Sequence, residues 1–358
     1  MKKDNKVIVW STDVIQLIEG KPIGGIAVQV FFWAQAFVKH GWQVFSFIEN
    51  GEKTVEKENV CFKPKRNIKR INVFLEWWYA FKYMISIRPQ LIIYRGANRE
   101  LLPLSFVSKL LGIKLVFFAA SDVNFEPGKE LVGSEINRKM YQKSIKHINY
   151  FITQNDHQHD TLFANYRKES LILFNIWGIT SFSGYESPID SEVVWVANFR
   201  RLKRAEWVLD AAERLPQIHF VMAGSAANDE SYYNRMKQRA ESLDNVVFLG
   251  GQSFFYVNEL VAKSKVLLCT STFEGFPNTF LQAWSNGLPV ISTVNPSNVI
   301  SNNSLGIIID CVDELTNVLK QLLDDKDYYS ELCDSVNAYF VENHSSESGY
   351  NKLIEYLS

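Results

Sequence analysis

The residues best placed to do chemistry lie in one short segment, Ser271 to Thr293, which reads STFEGFPNTFLQAWSNGLPVIST. A strand end runs into a Gly/Pro turn that carries Glu274, and Gln282 follows eight positions later in a predicted helix. Pro277 fixes the backbone just before that helix, so the first-turn N–H groups should lack helical partners and attract an anion. These N–H groups belong to Asn278, Thr279 and Phe280. The layout predicts a binding site for a sugar nucleotide. The alternative is that Glu274 caps the helix and Gln282 is solvated.

Small and polar residues follow other strands of the second half as well. Because the carboxyl ends of parallel strands share one edge of a sheet, these residues should converge on one ligand. An ordinary tight turn would explain each of them taken alone. The set comprises Asn198 with Arg200, Arg201 and Lys203, then Gly224 with Ser225, and Gly250 with Gly251.

Those strands belong to a chain of two similar halves. Short apolar runs alternate with amphipathic stretches, which predicts parallel sheets covered by helices on both faces. Residues 178–192, rich in Ser, Gly and Pro, predict a linker. We therefore expect an α/β protein with two doubly wound, Rossmann-like domains facing across a cleft. The first covers residues 1–178 and the second 190–342, with a C-terminal helix at about 343–358 packing back on the first.

Composition excludes several classes of function. The net charge of -1 over 358 residues provides no basic field, so nucleic acid is not expected as a partner. Four scattered cysteines without a C-x-x-C and six histidines without an H-x-x-x-H predict no disulfide framework and no metal site. A charged N-terminus and the lack of long apolar runs predict a cytoplasmic protein.

The opening segment resembles the signature of the family-4 retaining glycosyltransferases (glycosyl transferases group 1), which have the GT-B fold. That signature is E-G-F-(G/P)-x-x-x-x-E-A-x-x-x-G-x-P-V. The chain departs from it at Gln282, where the family has a second glutamate. The positions in register are Glu274, Gly275, Phe276, Pro277, Ala283, Gly287, Pro289 and Val290.

The resemblance extends over residues 195–310. The run WVANFRRLKRAEWVLDAAERLPQIHFVMAG places Lys203 on the family's phosphate-binding lysine and Asn198 where the family has an arginine. The first half matches in outline. Gly24 and Gly25 resemble the glycine-rich loop after the first strand, and Asp122 stands near a position that is histidine in many relatives.

The resemblance implies transfer of a sugar from a nucleotide-diphosphate donor with retention and without a metal or other cofactor. Lys203 would offset charge on the leaving diphosphate, helped by Arg200 or Arg201, with Asn198 and Gly224 alongside. Glu274 would hold the hydroxyls of the sugar and Gln282 the ribose. The leaving phosphate would serve as the base. In the first domain, Asp122 is either a turn cap or a catalytic group near the acceptor, and Gly24–Gly25 is either a flexible turn or a close backbone approach to the donor.

The acceptor is expected to be a glycan or a lipid-linked glycan of a cell-surface polysaccharide, and Arg95 could meet an anionic one. Residues 63–70, KPKRNIKR, hold five basic residues and precede the aromatic run NVFLEWWYAFKYM. Together they predict either peripheral contact with anionic lipid on the inner face of the membrane, or a solvated loop followed by a core helix.

Three other functions compete with sugar transfer. A sugar-nucleotide epimerase of the GT-B fold would need a set of acid/base carboxylates and histidines. A non-catalytic nucleotide-sugar-binding protein would fit the departures at Gln282 and Asn198. A dinucleotide oxidoreductase is disfavoured because no G-x-G-x-x-G follows the first strand.

Overall fold

The computed structural model describes residues 5–20, 24–65, 73–178, 191–227, 229–274 and 276–358. The chain divides into two compact units, one formed by residues 1–176 with 346–358 and the other by residues 177–345. Residues 179–190 of the expected linker and residues 66–70 of the basic segment lie outside the described ranges.

The first unit is built on an eight-stranded sheet. Its strands are β1 (Lys6–Val9), β2 (Gln43–Glu49), β3 (Val55–Lys57), β4 (Val60–Lys65), β5 (Leu91–Arg95), β6 (Lys114–Phe118), β7 (Tyr150–Thr153) and β8 (Leu171–Ile172). The order is β3-β4-β2-β1-β5-β6-β7-β8, and every pair is parallel except β3–β4. The central strands β1, β5 and β6 are apolar and buried between their end residues, as in a parallel sheet that helices cover on both faces.

The helices of the first unit are α1 (Val14–Ile18), α2 (Gly25–Lys39), α3 (Val73–Ile87), α4 (Leu101–Leu111), α5 (Glu135–Ile145) and α6 (Asp156–Tyr166), joined by α14 (Ser346–Leu357) from the end of the chain. Gly41, at φ +76, turns the chain after α2. The last helix packs on α2, where Trp42 Nε1 donates to the Tyr350 hydroxyl at 2.8 Å. A Cβ on Gly349 would lie 2.3 Å from Ile176 Cγ2, so this contact requires glycine.

The second unit carries a six-stranded parallel sheet in the order β11-β10-β9-β12-β13-β14. Its strands are β9 (Val193–Val196), β10 (Phe220–Ala223), β11 (Val246–Gly250), β12 (Val266–Cys269), β13 (Val290–Ser292) and β14 (Gly306–Ile308). Its helices are α7 (Ala205–Arg214), α8 (Glu230–Ala240), α9 (Phe254–Ala262), α10 (Asn278–Trp284), α11 (Val299–Asn302), α12 (Val312–Asp324) and α13 (Lys326–Asn343). The expected fold class, two doubly wound parallel α/β units, is confirmed.

One element was not expected from the sequence. The β3–β4 hairpin is antiparallel, and its turn residues Glu58 and Asn59 both have positive φ, at +49° and +58°. A two-residue hairpin turn of this kind normally contains glycine, so Glu58–Asn59 gives a weak signal. The short strand β3 is also partly exposed and lacks a hydrophobic pattern.

Candidate functional site

The candidate site is the point in the second unit where the strand order reverses. The chain passes from β9 to β10 on one side, while β12 pairs with β9 on the other. Ligands of open α/β sheets bind at the carboxyl ends of strands at such a switch point. A 3-10 turn, Arg201–Lys203, follows β9, and residues 270–274 follow β12. The structure therefore brings together the two segments in which the main site residues were predicted.

Hydrogen bonds hold these two segments against each other. Thr270 Oγ1 donates to the Lys203 carbonyl at 2.6 Å, and the Thr272 N–H donates to the Leu202 carbonyl at 2.8 Å. Trp195 Nε1, buried in the core, donates to Thr270 Oγ1 at 3.1 Å. The backbone that carries Lys203 is thus fixed relative to the backbone that leads to Glu274.

Arg204 locks the same pair of segments, and sequence reasoning missed its role. Its Nε donates to the Thr270 carbonyl at 2.6 Å, and a terminal nitrogen donates to the Ser271 carbonyl at 3.2 Å. The guanidinium stacks over Trp207, 4.0 Å from the ring centroid, and burial lowers the pKa of Arg204. Arg204 also has φ +48, an uncommon value for a non-glycine residue. In the sequence, the signal for this role was the position of Arg204 directly after Lys203 in a K-R-x-E run.

The two predicted catalytic residues of this unit contact each other. Lys203 Nζ forms an ion pair with Glu274 Oε1, and Ser271 Oγ donates to the same oxygen at 2.8 Å. The two charged side chains are 19% and 21% exposed, so both remain accessible to a ligand. A cation that can meet phosphate and a carboxylate that can accept hydroxyl protons therefore lie side by side.

The arginines near Lys203 differ in their contacts. Arg201 Nε donates to Asp229 Oδ2 at 3.0 Å, and its guanidinium lies 5.5 Å from the Tyr232 ring centroid. The hydrogen bond from the Tyr232 backbone N–H is the main cause that holds the pKa of Asp229 below its usual value, and the positive charge of Arg201 adds to the effect. Arg200 is exposed, and no side-chain bond of it is found in the described ranges. Arg201 is thus held toward α8, whereas the Arg200 side chain is exposed.

Asn198 and Gly224, which were both predicted to contact the ligand, also have structural roles at the strand ends. Asn198 Oδ1 accepts from the Ser225 N–H at 3.4 Å, which links the ends of β9 and β10. A Cβ on Gly224 would lie 1.8 Å from the Ala197 carbonyl oxygen. The close approach of the two strand ends is therefore enough to require glycine at position 224, whether or not a ligand binds there.

Helix α10 starts at Asn278, directly after Pro277, as expected. The expectation of three unsatisfied N–H groups is wrong for Phe280, whose N–H donates to the Pro277 carbonyl at 3.1 Å. The tight first turn brings these two groups together, and the Phe280 ring is buried against Phe276 and Trp284. For Asn278 and Thr279 no backbone N–H bond is present in the described part of the chain, so two donors remain. Gly275 lies outside it.

Gln282 is not the solvated side chain of the alternative interpretation. It is 4% exposed, and its side-chain amide makes no hydrogen bond to any residue that the structure describes. Its amide atoms are not among the fully buried side-chain atoms that lack a partner, so they can still reach a ligand.

In the first unit, the predicted residues stand on different elements. Gly24 is the N-cap residue of α2, and it and Gly25 are exposed. A Cβ on Gly24 would meet no atom of the described residues within 4 Å. Asp122 follows β6, and its Oδ1 accepts from Asn155 Nδ2 at 3.0 Å and from Gln158 Nε2 at 2.9 Å. Asn155 caps α6, so Asp122 supports the start of that helix.

Arg95 ends β5, beside β1, where the strand order of the first unit reverses. One terminal nitrogen donates to Asn175 Oδ1 at 2.7 Å, and burial lowers the pKa of Arg95 to about 10. No carboxylate of the described residues pairs with it, and its Nε is buried without a partner there. A positive charge is thus held at this edge with a neutral partner.

Two further kinds of feature are absent from the described residues. Across the described residues, no group of three His, Cys, Asp or Glu side chains is arranged to hold a metal ion. None of the helices in those residues has the length and hydropathy that crossing a membrane requires.

Comparisons with known proteins agree with the features of the second unit. Residues 190–325 match the family model described as glycosyl transferases group 1. A UDP-N-acetylglucosamine–peptide N-acetylglucosaminyltransferase GtfA subunit from Streptococcus pneumoniae is 24% identical over 156 residues, which is 40% of this chain and 30% of that protein. The lipopolysaccharide core biosynthesis glycosyltransferase LpsE from Rhizobium meliloti is 22% identical over 178 residues, 48% of this chain and 52% of LpsE. The match thus spans a third to a half of these curated relatives.

Solved structures match over nearly the whole chain. A sucrose-phosphate synthase from Thermosynechococcus elongatus superposes with a TM-score of 0.67 at 16% identity, covering 99% of this chain and 98% of that one. A UDP-GlcNAc 2-epimerase from Neisseria meningitidis gives 0.64 at 13% identity, covering 98% and 100%. At these identities the likeness concerns the fold, and it confirms the expected GT-B class.

Proposed function

We propose, on the premise that residues 190–325 form a group 1 glycosyltransferase domain, that the chain transfers a sugar from a nucleotide-diphosphate donor to a glycan or lipid-linked acceptor with retention of configuration. The observation that carries this proposal is the contact between Lys203 and Glu274 at the switch point of the second unit. It is supported by Gln282, a mostly buried residue whose side-chain amide makes no hydrogen bond within the described residues.

In the proposed reaction, the donor diphosphate lies against Lys203 and Arg200, with the N–H groups of Asn278 and Thr279 as further donors. Glu274 accepts hydrogen bonds from the sugar hydroxyls, and Gln282 contacts the ribose. The bond between the anomeric carbon and the phosphate oxygen breaks, and the acceptor hydroxyl forms its bond on the same face. The proton of that hydroxyl passes to the departing phosphate.

The charges at the site suit this division of labour. Negative charge grows on the leaving diphosphate in the transition state, and a fixed ammonium group lowers the barrier by stabilising it. Lys203 would exchange Glu274 for phosphate when the donor binds, which releases the carboxylate for the sugar. No step requires a metal or an organic cofactor.

The acceptor is proposed to meet the first unit. Asp122 is exposed, and one of its carboxylate oxygens has no partner in the described part of the chain, so it can orient an acceptor hydroxyl while the other supports α6. Gly24 and Gly25 would allow backbone amides to approach the ligand. The name of LpsE places that relative in lipopolysaccharide core biosynthesis, which supports a cell-surface glycan as the acceptor class and a cytoplasmic enzyme.

The proposal can be tested by incubating the purified protein with panels of UDP, GDP, ADP and CMP sugars and measuring its melting temperature and its products. One nucleotide series should raise the melting temperature, and its sugar should be transferred, or slowly hydrolysed, with the anomeric configuration retained in proton NMR. Formation of an epimeric sugar nucleotide without loss of the nucleotide would favour the epimerase. A thermal shift without any turnover would favour a binding protein. An inverted product would contradict retention.

A further inference from the structure

Two neighbouring helices of the first unit expose large apolar side chains. On α3, Phe74 is 90% and Trp78 is 58% exposed, and Phe81 and Ile85 continue the same row. These positions are separated by four, three and four residues, so they lie on one face of the helix. On α4, Leu110 is 69% exposed, and Phe106 and Leu111 stand beside it.

The two rows form one surface. Helices α3 and α4 pack against each other, and the Trp77 and Phe106 rings are 5.3 Å apart between centroids. The opposite side of α3 already supplies the core, through Tyr79, Ala80, Tyr83, Met84 and Ile87. Helix α3 is therefore apolar on more of its circumference than folding requires, which marks an interaction surface. We call the exposed residues of α3 and α4 the α3–α4 face.

The charged residues around this face are basic. Lys82 and Lys109 are exposed on the two helices, and Arg88 is exposed just after α3. The acidic residue of α3, Glu76, is buried and paired with Arg99, and α4 contains no acidic residue.

A second group of cations adjoins the face beside Phe106. The His147 ring is 6.0 Å from the Phe106 ring, and the positive charges of Lys109, Lys146 and Lys168 act on this histidine. The apolar rows are thus flanked by lysines on the α5 side as well.

Charge decides between the occupants of such a surface. A second copy of the chain would place the same cations opposite one another in a two-fold interface, which is unfavourable. A bilayer with anionic headgroups matches both the apolar rows and the basic residues. Aromatic side chains bind at the boundary between headgroups and acyl chains, and lysines bind lipid phosphates. With 15 residues, α3 is about 22 Å long, which suits a helix that lies on the surface better than one that spans the bilayer.

We propose that the α3–α4 face is a peripheral docking surface for membranes rich in anionic lipid. Trp78, Phe74 and Leu110 enter the headgroup region, and Lys82 and Lys109 contact lipid phosphates. Docking does not depend on the proposed transferase activity. It would hold a lipid-linked acceptor close to the first unit.

Vesicle co-sedimentation of the full chain tests the surface without any nucleotide sugar. The vesicles contain phosphatidylcholine alone or with about one-third phosphatidylglycerol. We expect binding to the mixed vesicles, weaker binding as salt rises, and little binding to pure phosphatidylcholine. Lys82→Gln with Lys109→Gln should lower the partition coefficient about fivefold for each lysine removed. Trp78→Gln with Leu110→Gln should lower it at least tenfold.

The matched control is Val341→Gln with Lys326→Gln on α13, which also replaces an exposed apolar residue and an exposed lysine. All three double variants should keep the wild-type melting temperature, since they change exposed side chains. Equal losses in control and test variants would overturn the proposal, as would absence of vesicle binding by the wild type. Concentration-dependent dimerisation that Trp78→Gln abolishes, without vesicle binding, would assign the face to a second copy instead.

Discussion

Each unit has a cation near the end of a strand at its switch point, but the surroundings of the two cations differ. In the second unit, Lys203 pairs with Glu274, which Ser271 also contacts, and both charges remain partly exposed. In the first unit, Arg95 has the neutral Asn175 as a bonded partner, and burial lowers its pKa to about 10. The second edge thus has balanced charges that a ligand can rearrange. The first holds a charge with no carboxylate partner in the described residues.

The glycines at the two edges differ in the same way. Gly224 is demanded by the packing of adjacent strand ends, whereas a side chain at Gly24 would meet open space. A glycine in a site motif can therefore serve the fold or leave room for a ligand, and the backbone around it distinguishes the two.

The largest effect is expected at the Lys203–Glu274 pair. Lys203→Met and Glu274→Gln should each lower kcat by about 100-fold or more, because each removes an interaction with charge or hydroxyls at the reacting sugar. Steady-state rates with the donor that the nucleotide-sugar panel selects provide the measurement. Lys237→Met, on exposed α8, is the control and should behave as wild type. Wild-type turnover in either site variant would remove that residue from the mechanism.

The next effect concerns stability. Gly224→Ala should lower the free energy of unfolding of the second unit by about 1–3 kcal/mol, since the new Cβ overlaps the Ala197 carbonyl. Gly24→Ala should change the stability of the first unit by less than about 0.5 kcal/mol. Urea denaturation followed by circular dichroism measures both. If Gly24→Ala lowers turnover at unchanged stability, the glycine serves the ligand. Equal destabilisation by both variants would refute the contrast.

Gln282→Glu should destabilise the free protein by about 1–3 kcal/mol, because the residue is only 4% exposed and a carboxylate there loses most of its hydration. A nucleoside diphosphate should recover part of the loss, since the ribose hydroxyls can donate to the new carboxylate. Thermal melts with and without nucleotide measure both effects. Gln321→Glu, on the exposed side of α12, is the matched control. A variant as stable as wild type that binds nucleotide more weakly would argue against a ribose contact.

The smallest change in stability is expected at Arg95. Arg95→Met loses one hydrogen bond but also removes a desolvated charge, so stability should shift by less than about 1 kcal/mol. Transfer to an anionic acceptor should show a higher KM, while transfer to a neutral acceptor should not. Arg88→Met, at an exposed arginine of the same unit, is the control. A loss of stability well beyond this range would assign Arg95 to holding residue 175 in place.

Much of the fold follows from the sequence, because alternating buried strands and amphipathic helices leave few arrangements for a parallel sheet. The meeting of Lys203 with Glu274 also follows, since both come directly after strands that end at one edge. The contacts of Arg201 and Arg204 do not follow. Backbone angles such as φ +48 at Arg204 decide which of these adjacent cations contacts α8, a backbone carbonyl or Glu274.

The fate of the aromatic run before and within α3 was also undecided in the sequence. A helix that is apolar over most of its surface is compatible with a core position or with an exposed face. The exposed Phe74 and Trp78 settle this in favour of a helix with both. The Phe280 N–H could not be assigned from the sequence either. The helix pattern alone leaves this donor unsatisfied, but the tight first turn of α10 bonds it to the Pro277 carbonyl.

The packing of α14 on α2 has a consequence for how the protein is made. Gly349 and Tyr350 contact residues near the start of the first unit, yet they are synthesised after the whole second unit. During translation, the second unit can fold while the first still lacks its last helix, with the surface around Phe37 and Trp42 uncovered. The nascent first unit should therefore be more sensitive to proteases and chaperones than the second until residues 346–358 have left the ribosome.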